Sequence, residues 1–425
     1  MDETIVKSYC SLLRHELLPA LGCTEPIAIA YCAAKARETL GCVPDSLEVR
    51  CSGNIIKNVK GVTVPNSGGM KGVSAAAVLG IFGGSADRKL EVLAGVTDQA
   101  REQTRDYLKT GKCVVTLQAD EENLYIKCIL RSGADTAAVE LRSAHDHISR
   151  IEKNGQILFQ QEDIPQQVSD SKELLNLHDI YEFADTVDLA LIREPLERQA
   201  KLNYSIAKEG MSHTWGMNVG EAFCRYGGDS TRIKAAAMAA AGSDARMSGC
   251  PLPVVINSGS GNQGITIAIP IIVYAQEKEI PHDTMLRGLA LANLVAIHQK
   301  RFIGSLSAYC GAVSAAAAAA CGIAYMDGQP ADVISRTIIN AISTVGGILC
   351  DGAKPSCAAK IRSSVDTALL AYDLAREGRV YQYGDGLVGE DAEETIRNIG
   401  KVGRDGMRST DQEVLQIMIA NETVK

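Results

Sequence analysis

The second half of the chain contains four apolar segments built largely from alanine, glycine and isoleucine, and these segments most constrain the fold. They cover Ile233 to Ala241, Gly264 to Gln276, Ala312 to Cys321 and Ala331 to Thr344. Their apolar positions recur at helical spacing. Aromatic residues make up only 4% of the chain, so small residues must supply much of the packing, which suits closely approaching helices. The sequence therefore predicts a helical bundle with glycine-rich joints over residues 170–425.

The first 165 residues have a different periodicity. Residues 3–19 and 26–39 predict two helices, which we expect to form an N-terminal unit over 1–44 that packs on the bundle. Alternating apolar residues predict strands at 46–51, 113–118, 124–130 and 137–141, with a helix at about 98–109. The polar stretch 160–171 predicts a linker. The expected fold class is α+β, with a smaller α+β domain over 45–165 and a mainly helical region after it.

Bulk properties exclude several classes of function. A length of 425 residues favours more than one domain, and a net charge of −8 without a basic patch argues against nucleic acid as partner. The sequence shows neither a signal peptide nor the roughly 20 apolar residues that span a bilayer. It thus predicts a cytoplasmic protein without a membrane partner, whose thirteen cysteines are free thiols. A homo-oligomer is compatible with the sequence, which does not determine the oligomeric state.

Three cysteines are distinguished by their surroundings. Cys310 precedes an alanine-rich helix, while Cys350 and Cys357 lie in a segment whose glycines and Pro355 predict a loop. Their thiols can therefore turn towards one point, although each alone also suits a small buried apolar residue. The C-x6-C spacing is not that of structural zinc sites. Cys321 follows Cys310 by eleven residues, roughly 16 Å along a helix, and is assigned to the core.

Three thiolate ligands would have a chemical consequence that four do not. Four cysteines saturate a [4Fe–4S] cluster, which then carries electrons. Three leave one iron open, and an open iron is a Lewis acid that can hold a carboxylate or a leaving group. Such a set favours elimination chemistry over electron transfer.

Cys23 differs from these three cysteines because it lies just before a predicted helix. Thr24 is the expected cap, and Glu25 and Pro26 fall in the first turn. The helix dipole is expected to lower the pKa of the thiol and make it a base near neutral pH. A structural cysteine at a tight turn is the alternative. Glu25 would raise the pKa of the thiol and is itself a candidate base.

Two glycine-rich segments precede small-residue helices and are expected to bind a carboxylate through backbone N–H groups. The candidate residues are Asn66, Ser67 and Gly68 in the first segment and Asn257, Ser258, Gly259, Ser260 and Asn262 in the second. Neither segment is a P-loop or a dinucleotide-binding motif. His213, His298 and Lys57 are further acid–base or anion-binding candidates, each equally compatible with a structural role.

Taken together, these motifs resemble the L-cysteine desulfidase family, which is related to the α part of iron–sulfur L-serine dehydratases. The resemblance rests on residues 22–26, 52–58 and 257–264 and on the Cys310, Cys350 and Cys357 set, and it runs over nearly the whole chain. It implies a [4Fe–4S] cluster on those three cysteines, no pyridoxal phosphate, and Cys23 as the base that removes the α-proton of a small amino acid. Asn54, Lys57 and the two glycine-rich segments are expected to bind the substrate. L-Cysteine would yield pyruvate, ammonia and sulfide.

Two alternatives remain open at the level of the sequence. No cysteine follows Cys357, whereas some serine dehydratases carry one in the C-terminal tail, so the sequence favours cysteine over serine as substrate. The first alternative is thus a serine dehydratase. The second is a non-catalytic member of the same fold whose cysteines are structural or bind zinc. If one cluster is bound, the three sulfur atoms are expected within roughly 7 Å of one another.

Overall fold

The computed structural model describes residues 1–118, 121–161, 171–304 and 306–420. They form an α+β fold that is mainly helical, as predicted. The predicted linker falls largely on residues 162–170, which lie outside the described part of the chain.

The α+β part is a six-stranded mixed sheet covered by helices. Its strands are β2 (Ser46–Ser52), β3 (Cys113–Gln118), β4 (Tyr125–Ser132), β5 (Asp135–Arg142), β6 (Ile148–Lys153) and β7 (Gln156–Gln160), in the order β3-β2-β4-β5-β6-β7. Among these described strands, β2 and β3 pair in parallel and the other neighbours pair antiparallel. The helices of this part are α2 (Thr24–Leu40), α3 (Gly53–Val59), α4 (Gly72–Gly83) and α5 (Asp98–Lys109). Helices α2 and α4 pack on each other and on the sheet.

The helical part surrounds a nearly fully buried helix, α12. Its helices are α6 (Leu177–Thr186), α7 (Arg193–Ser212), α8 (Val219–Gly227), α9 (Thr231–Met247), α10 (Gly261–Glu277), α11 (His282–Ile303), α12 (Gly311–Met326), α13 (Ala331–Val345), α14 (Cys357–Arg376), α15 (Ala392–Lys401) and α16 (Arg408–Ala420). Helices α10, α11, α13 and α14 all pack on α12. The alanine side chains of α12 make these close approaches possible.

The two N-terminal helices belong to different cores, whereas the sequence predicted both on the helical region. Helix α1 (Glu3–Glu16) contributes Tyr9, Leu12 and Leu13 to the core of the helical part. Helix α2 contributes to the hydrophobic core that it shares with the sheet, and it is buried on nearly every side. Between them, β1 (Pro19–Leu21) pairs antiparallel with β8 (Pro253–Val255), which joins the start of the chain to the segment before α10.

Among the described residues, no helix is both long and apolar enough to cross a membrane.

The packing of α2 on α4 depends on Gly80. A methyl group at this position would overlap the backbone of Ala30, whose Cα lies 2.8 Å from the site of the added carbon. We therefore expect Gly80→Ala to lower the free energy of unfolding by about 1–3 kcal/mol, because a tightly packed core must shift to accept it. Guanidinium denaturation measures the effect. Gly95→Ala is the control, since its added methyl meets only the end of Arg88 at 3.7 Å. An equal loss in both variants would contradict this explanation.

Candidate functional site

The predicted cysteines meet at one small cavity of about 110 Å³, here called the cysteine cavity. Several predicted site residues line it: Cys23, Glu25, Lys57, Ser260, Asn262, Cys310, Cys350 and Cys357. Other lining residues were not predicted as site residues: Asn58, Arg246, Gln263 and Lys300. The volume is well below the roughly 300–1,000 Å³ of cavities for drug-sized ligands. It suits a small inorganic group or a ligand of a few heavy atoms.

Four helices begin at this cavity. Cys23 occupies the N-cap position of α2, Ser260 that of α10 and Cys310 that of α12, while Cys357 is the first residue of α14. Helix N-termini carry free N–H groups and a partial positive charge, which favour anions and thiolates. The sequence predicted three of these starts, at α2, α10 and α12, and the fold adds the start of α14.

The loops that carry Cys310 and Cys350 are held together by backbone hydrogen bonds. The N–H of Cys310 donates to the carbonyl of Ile348 at 3.0 Å, and the N–H of Cys350 donates to the carbonyl of Ala308 at 2.6 Å. Tyr309 and Leu349 thereby form an antiparallel bridge. This short pairing fixes the two cysteines as neighbours although they are far apart in sequence.

Cys310 is buried, while Cys350 and Cys357 are partly buried. Burial raises the pKa of Cys310 to about 12 and also raises the pKa of Cys357. Because metals bind thiolates, metal binding here would release the protons of these thiols. Lys360 favours the thiolate form of both, although it is also paired with Asp351.

The thiols fit a cluster better than a single zinc ion. A tetrahedral zinc ion with bonds of about 2.3 Å to sulfur requires sulfur atoms about 3.8 Å apart. Among the described residues, only His178, Asp179 and Glu182 bring three potential ligand atoms within 4.8 Å of one another, and this group is largely exposed. At least one separation among the three cysteine sulfurs therefore exceeds 4.8 Å, which is more than one zinc ion needs, although all three residues line a single cavity. That arrangement is compatible with a polynuclear group held by three thiolates.

Cys23 and Glu25 form a buried hydrogen-bonded pair. The Sγ of Cys23 donates to Oε2 of Glu25 at 3.0 Å, and Nδ2 of Asn58 donates to Oε1 at 2.7 Å. Thr24 is not the cap of α2, since Cys23 takes that position. The hydroxyl of Thr24 instead donates to the carbonyl of Gly259 at 2.9 Å, and it lies 3.1 Å from Oε2 of Glu25. This contact joins the start of α2 to the loop before α10.

The predicted low pKa of Cys23 is wrong in this structure. Burial and the neighbouring Glu25 carboxylate raise the pKa of the thiol well above its usual value. Burial also opposes ionisation of Glu25, but His145 and the thiol of Cys23 hold the pKa of this carboxyl below its usual value. The proton therefore resides on sulfur and the negative charge on the carboxylate. The helix dipole does not overcome burial beside a carboxylate.

Two lysines at the cavity have different surroundings. Lys57 is buried and pairs with Asp411 of α16 at 2.5 Å, so its charge is already balanced. Burial lowers the pKa of Lys300 to about 8, against the opposing effect of Cys350 and Cys310. Lys300 also lines a second, larger cavity of about 1100 Å³, which reaches Ser258 and Gly259 of the loop before α10.

Several predicted site residues lie away from the cysteine cavity. The first glycine-rich segment does not line it: Asn66 donates to the carbonyl of Leu93, and Arg101 donates to the carbonyl of Asn66. Ser67 is buried and bonds to Met70 within its own turn, and Gly68 lies beside Arg105. The side-chain donors of Asn66 and Ser67 are therefore already engaged within this part of the fold.

The other predicted candidates that lie outside the cysteine cavity also have structural partners. Asn54 donates to Asn123, and Asn257 is buried and donates to Asn293. His213 pairs with Glu209 at the surface, and His298 pairs with Glu393 in the core. Cys321 is fully buried away from the cavity, as predicted.

The unpredicted residues of the cavity had weak signals in the sequence. Asn58 and Gln263 stand inside the motifs that carry the resemblance, but nothing local distinguishes them from turn residues. Arg246 and Lys300 are single cations on otherwise apolar helix faces, and both are buried. A buried cation requires a partner or a function, and this is the signal that could have identified them.

The comparison with known proteins agrees with this architecture. The sequence matches the family described as serine dehydratase alpha chain over residues 87–416, and the chain belongs to that family. The family places it with lyase-type enzymes of amino-acid catabolism.

Similar proteins extend over nearly the whole chain. A "UPF0597 protein" of Finegoldia magna is 49% identical over 97% of this chain and 100% of the relative. Proteins of the same name from Lachnoclostridium phytofermentans and Treponema denticola are 47% and 44% identical, over 97% and 99% of this chain and 99% of each relative. The resemblance predicted from the motifs is thus confirmed at the level of the serine dehydratase alpha chain.

Proposed function

We propose that the chain is an iron–sulfur, pyridoxal-phosphate-independent lyase that converts L-cysteine to pyruvate, ammonia and sulfide. One observation carries the proposal: three cysteines without a disulfide and a hydrogen-bonded Cys23–Glu25 pair line the same small cavity. Free thiols agree with a reducing cytoplasm as the location.

Cys310, Cys350 and Cys357 would hold a [4Fe–4S] cluster. When bound through three cysteines, such a cluster supplies a Lewis-acidic iron that stabilises developing negative charge on a carboxylate or leaving group. The helix N-termini and Lys300 add positive charge around the same space.

The Cys23–Glu25 pair would remove the α-proton. Glu25 is the ionised member and can accept a proton, either directly or through the thiol of Cys23. Asn58 and Thr24 hold the carboxylate in place, since both lie within hydrogen-bond distance of its oxygens. A base fixed in this way needs little reorganisation when the substrate arrives.

L-Serine is the second candidate substrate, and the observation that favours it is the description of the matching family as serine dehydratase alpha chain. The two reactions differ only in the β-substituent that leaves. Both give an enamine that hydrolyses to pyruvate and ammonia.

An anaerobic assay distinguishes the candidates. We expect pyruvate from L-cysteine, with equal sulfide, at a kcat/KM at least roughly tenfold above that for L-serine, a size typical of discrimination between close analogues. The protein should be brown as purified. A higher kcat/KM for L-serine would instead assign the protein as a serine dehydratase. A colourless protein that cannot be reconstituted and acts on neither amino acid would make it a non-catalytic member of the fold.

A further inference from the structure

We propose that the side-chain oxygens of Asn58, Asn262 and Gln263 bind the α-ammonium group of the substrate, so that the cysteine cavity selects α-amino acids over α-hydroxy acids of the same shape. This inference rests on the proposed function, because it assigns the part of the substrate that these residues contact.

The three oxygens share one property. Oδ1 of Asn58, Oδ1 of Asn262 and Oε1 of Gln263 are buried and accept no hydrogen bond from the described residues. All three residues line the cysteine cavity. Buried polar atoms nearly always have partners, so each of these acceptors is expected to receive a donor from a bound molecule. Three such acceptors on residues of one cavity favour a molecule with several donors.

The orientation of the Asn58 amide follows from its neighbour, and contacts restrain the other two side chains. Nδ2 of Asn58 donates to the Glu25 carboxylate, which can only accept, so Oδ1 must point the other way. Nδ2 of Asn262 contacts the sulfur of Met247 at 3.7 Å. Gln263 is held where α10 meets α12, since a methyl group on Gly311 would lie 2.6 Å from its Cδ. Packing therefore keeps the amides in place before a ligand arrives.

An ammonium group has the complementary chemistry. It offers three donors and no acceptor, whereas a hydroxyl offers one donor. The ionised Glu25, bonded to the other end of the Asn58 amide, adds negative charge that favours a cation. The carboxylate of the same substrate finds positive charge on Lys300 and on Arg246, whose Nε is also buried and has no hydrogen-bond partner among the described residues. The cavity thus offers separate contacts for both charged groups of an amino acid.

The test compares two ligands that cannot react. L-Alanine and L-lactate differ only in the ammonium and hydroxyl groups, and neither carries a β-substituent that can leave. Calorimetric thermal unfolding of the anaerobically purified protein at several ligand concentrations gives both affinities. We expect alanine to bind about 10- to 100-fold more tightly than lactate, the size expected for hydrogen bonds to a charged group.

Two variants carry the decisive comparison. Asn262→Leu removes one acceptor, and we expect it to weaken alanine binding roughly tenfold while lactate changes by less than about threefold. Asn54→Leu is the matched control. Like Asn262, Asn54 is the second residue of a helix and has a buried Oδ1 without a partner in the described part of the chain, but it does not line the cavity. Its alanine-to-lactate ratio should stay at the wild-type value. Gln263→Met replaces Asn262→Leu if that variant does not fold.

Each outcome decides the inference. It is overturned if wild type binds both ligands equally, if it binds neither, or if Asn54→Leu shifts the ratio as much as Asn262→Leu. Failure of the proposed function gives a different result. In that case the alanine preference and its loss in Asn262→Leu would persist, while neither cysteine nor serine yields pyruvate.

Discussion

Cys310→Ala is expected to abolish the brown colour, the bound iron and the turnover together. The structure places Cys310 at the start of α12, where it lines the cavity with Cys350 and Cys357 and is fixed beside the Cys350 loop. With two thiolates left, the site loses one of its three proposed ligands. Cys23 lines the same cavity but holds its proton in the contact with Glu25, and Cys321 lies further along α12. After anaerobic reconstitution, iron and acid-labile sulfide should fall from about four per chain to background.

Cys321→Ala is the matched control for this loss. It makes the same substitution in the same helix, at a buried thiol outside the cavity. The small cavity left behind should cost about 1 kcal/mol of stability and leave the metal content unchanged. If Cys321→Ala also lost the iron, or if Cys310→Ala kept it, Cys310 would not be a ligand. Cys350→Ala and Cys357→Ala should behave like Cys310→Ala.

Several elements that the sequence predicted have a burial pattern that is one-sided or continuous. Ser46 to Cys51 alternates because one face of β2 is buried, and the alanine-rich helices appear as unbroken apolar segments. Strand β7 was not predicted because every one of its residues is exposed. It joins the sheet through backbone pairing with β6, and such pairing does not produce a periodic pattern of apolar side chains.

The packing partner of α2 could not be predicted because this helix is buried on too many sides rather than too few. Nearly all of its residues are buried, so its sequence does not indicate which face meets which element. Only the fold places it on the sheet, while α1, with its one buried stripe, joins the helical core. The sequence of a helix that is buried on every side predicts burial, but it does not identify the elements that pack against the helix.

The candidate site shows the same division. The meeting of the three cysteines at one cavity was predictable from the loop around Pro355 and from the helix start at Cys310. The first glycine-rich segment shares Asn-Ser-Gly with the second, yet Arg101 occupies one of its carbonyls. A short motif describes a local turn and not the surface that the turn faces. Lys300 and Arg246 come from distant helices, so only the tertiary structure brings them to the site.

The charge state of Cys23 depends on contacts rather than on local sequence. The dipole of α2 favours a thiolate, but complete burial and a carboxylate 3.0 Å from the sulfur both favour the thiol. The same contact stabilises the charge on Glu25. Cys23 and Glu25 therefore share one proton between them and are expected to act as one unit.

Substitution of this pair should reduce turnover strongly without loss of the cluster. Glu25→Gln keeps the shape and removes the charge that accepts the proton. Cys23→Ser keeps a donor to the carboxylate but replaces the thiol by a hydroxyl that is a much weaker acid. Loss of a general base typically lowers the rate about 10²- to 10⁴-fold, and we expect each variant to fall in this range. Both should stay brown, since neither residue belongs to the proposed ligand set.

The double variant decides whether the two residues work together. Residues that act as a unit show strongly non-additive losses, so Cys23→Ser combined with Glu25→Gln should be about as slow as either single variant. Multiplied losses in the double variant would instead assign the two residues independent roles. Near-normal turnover in Cys23→Ser would leave Glu25 as the base acting directly on the substrate. A colourless Cys23→Ser protein would make Cys23 a cluster ligand, and the proposed division between the ligand set and the proton-accepting pair would then be wrong.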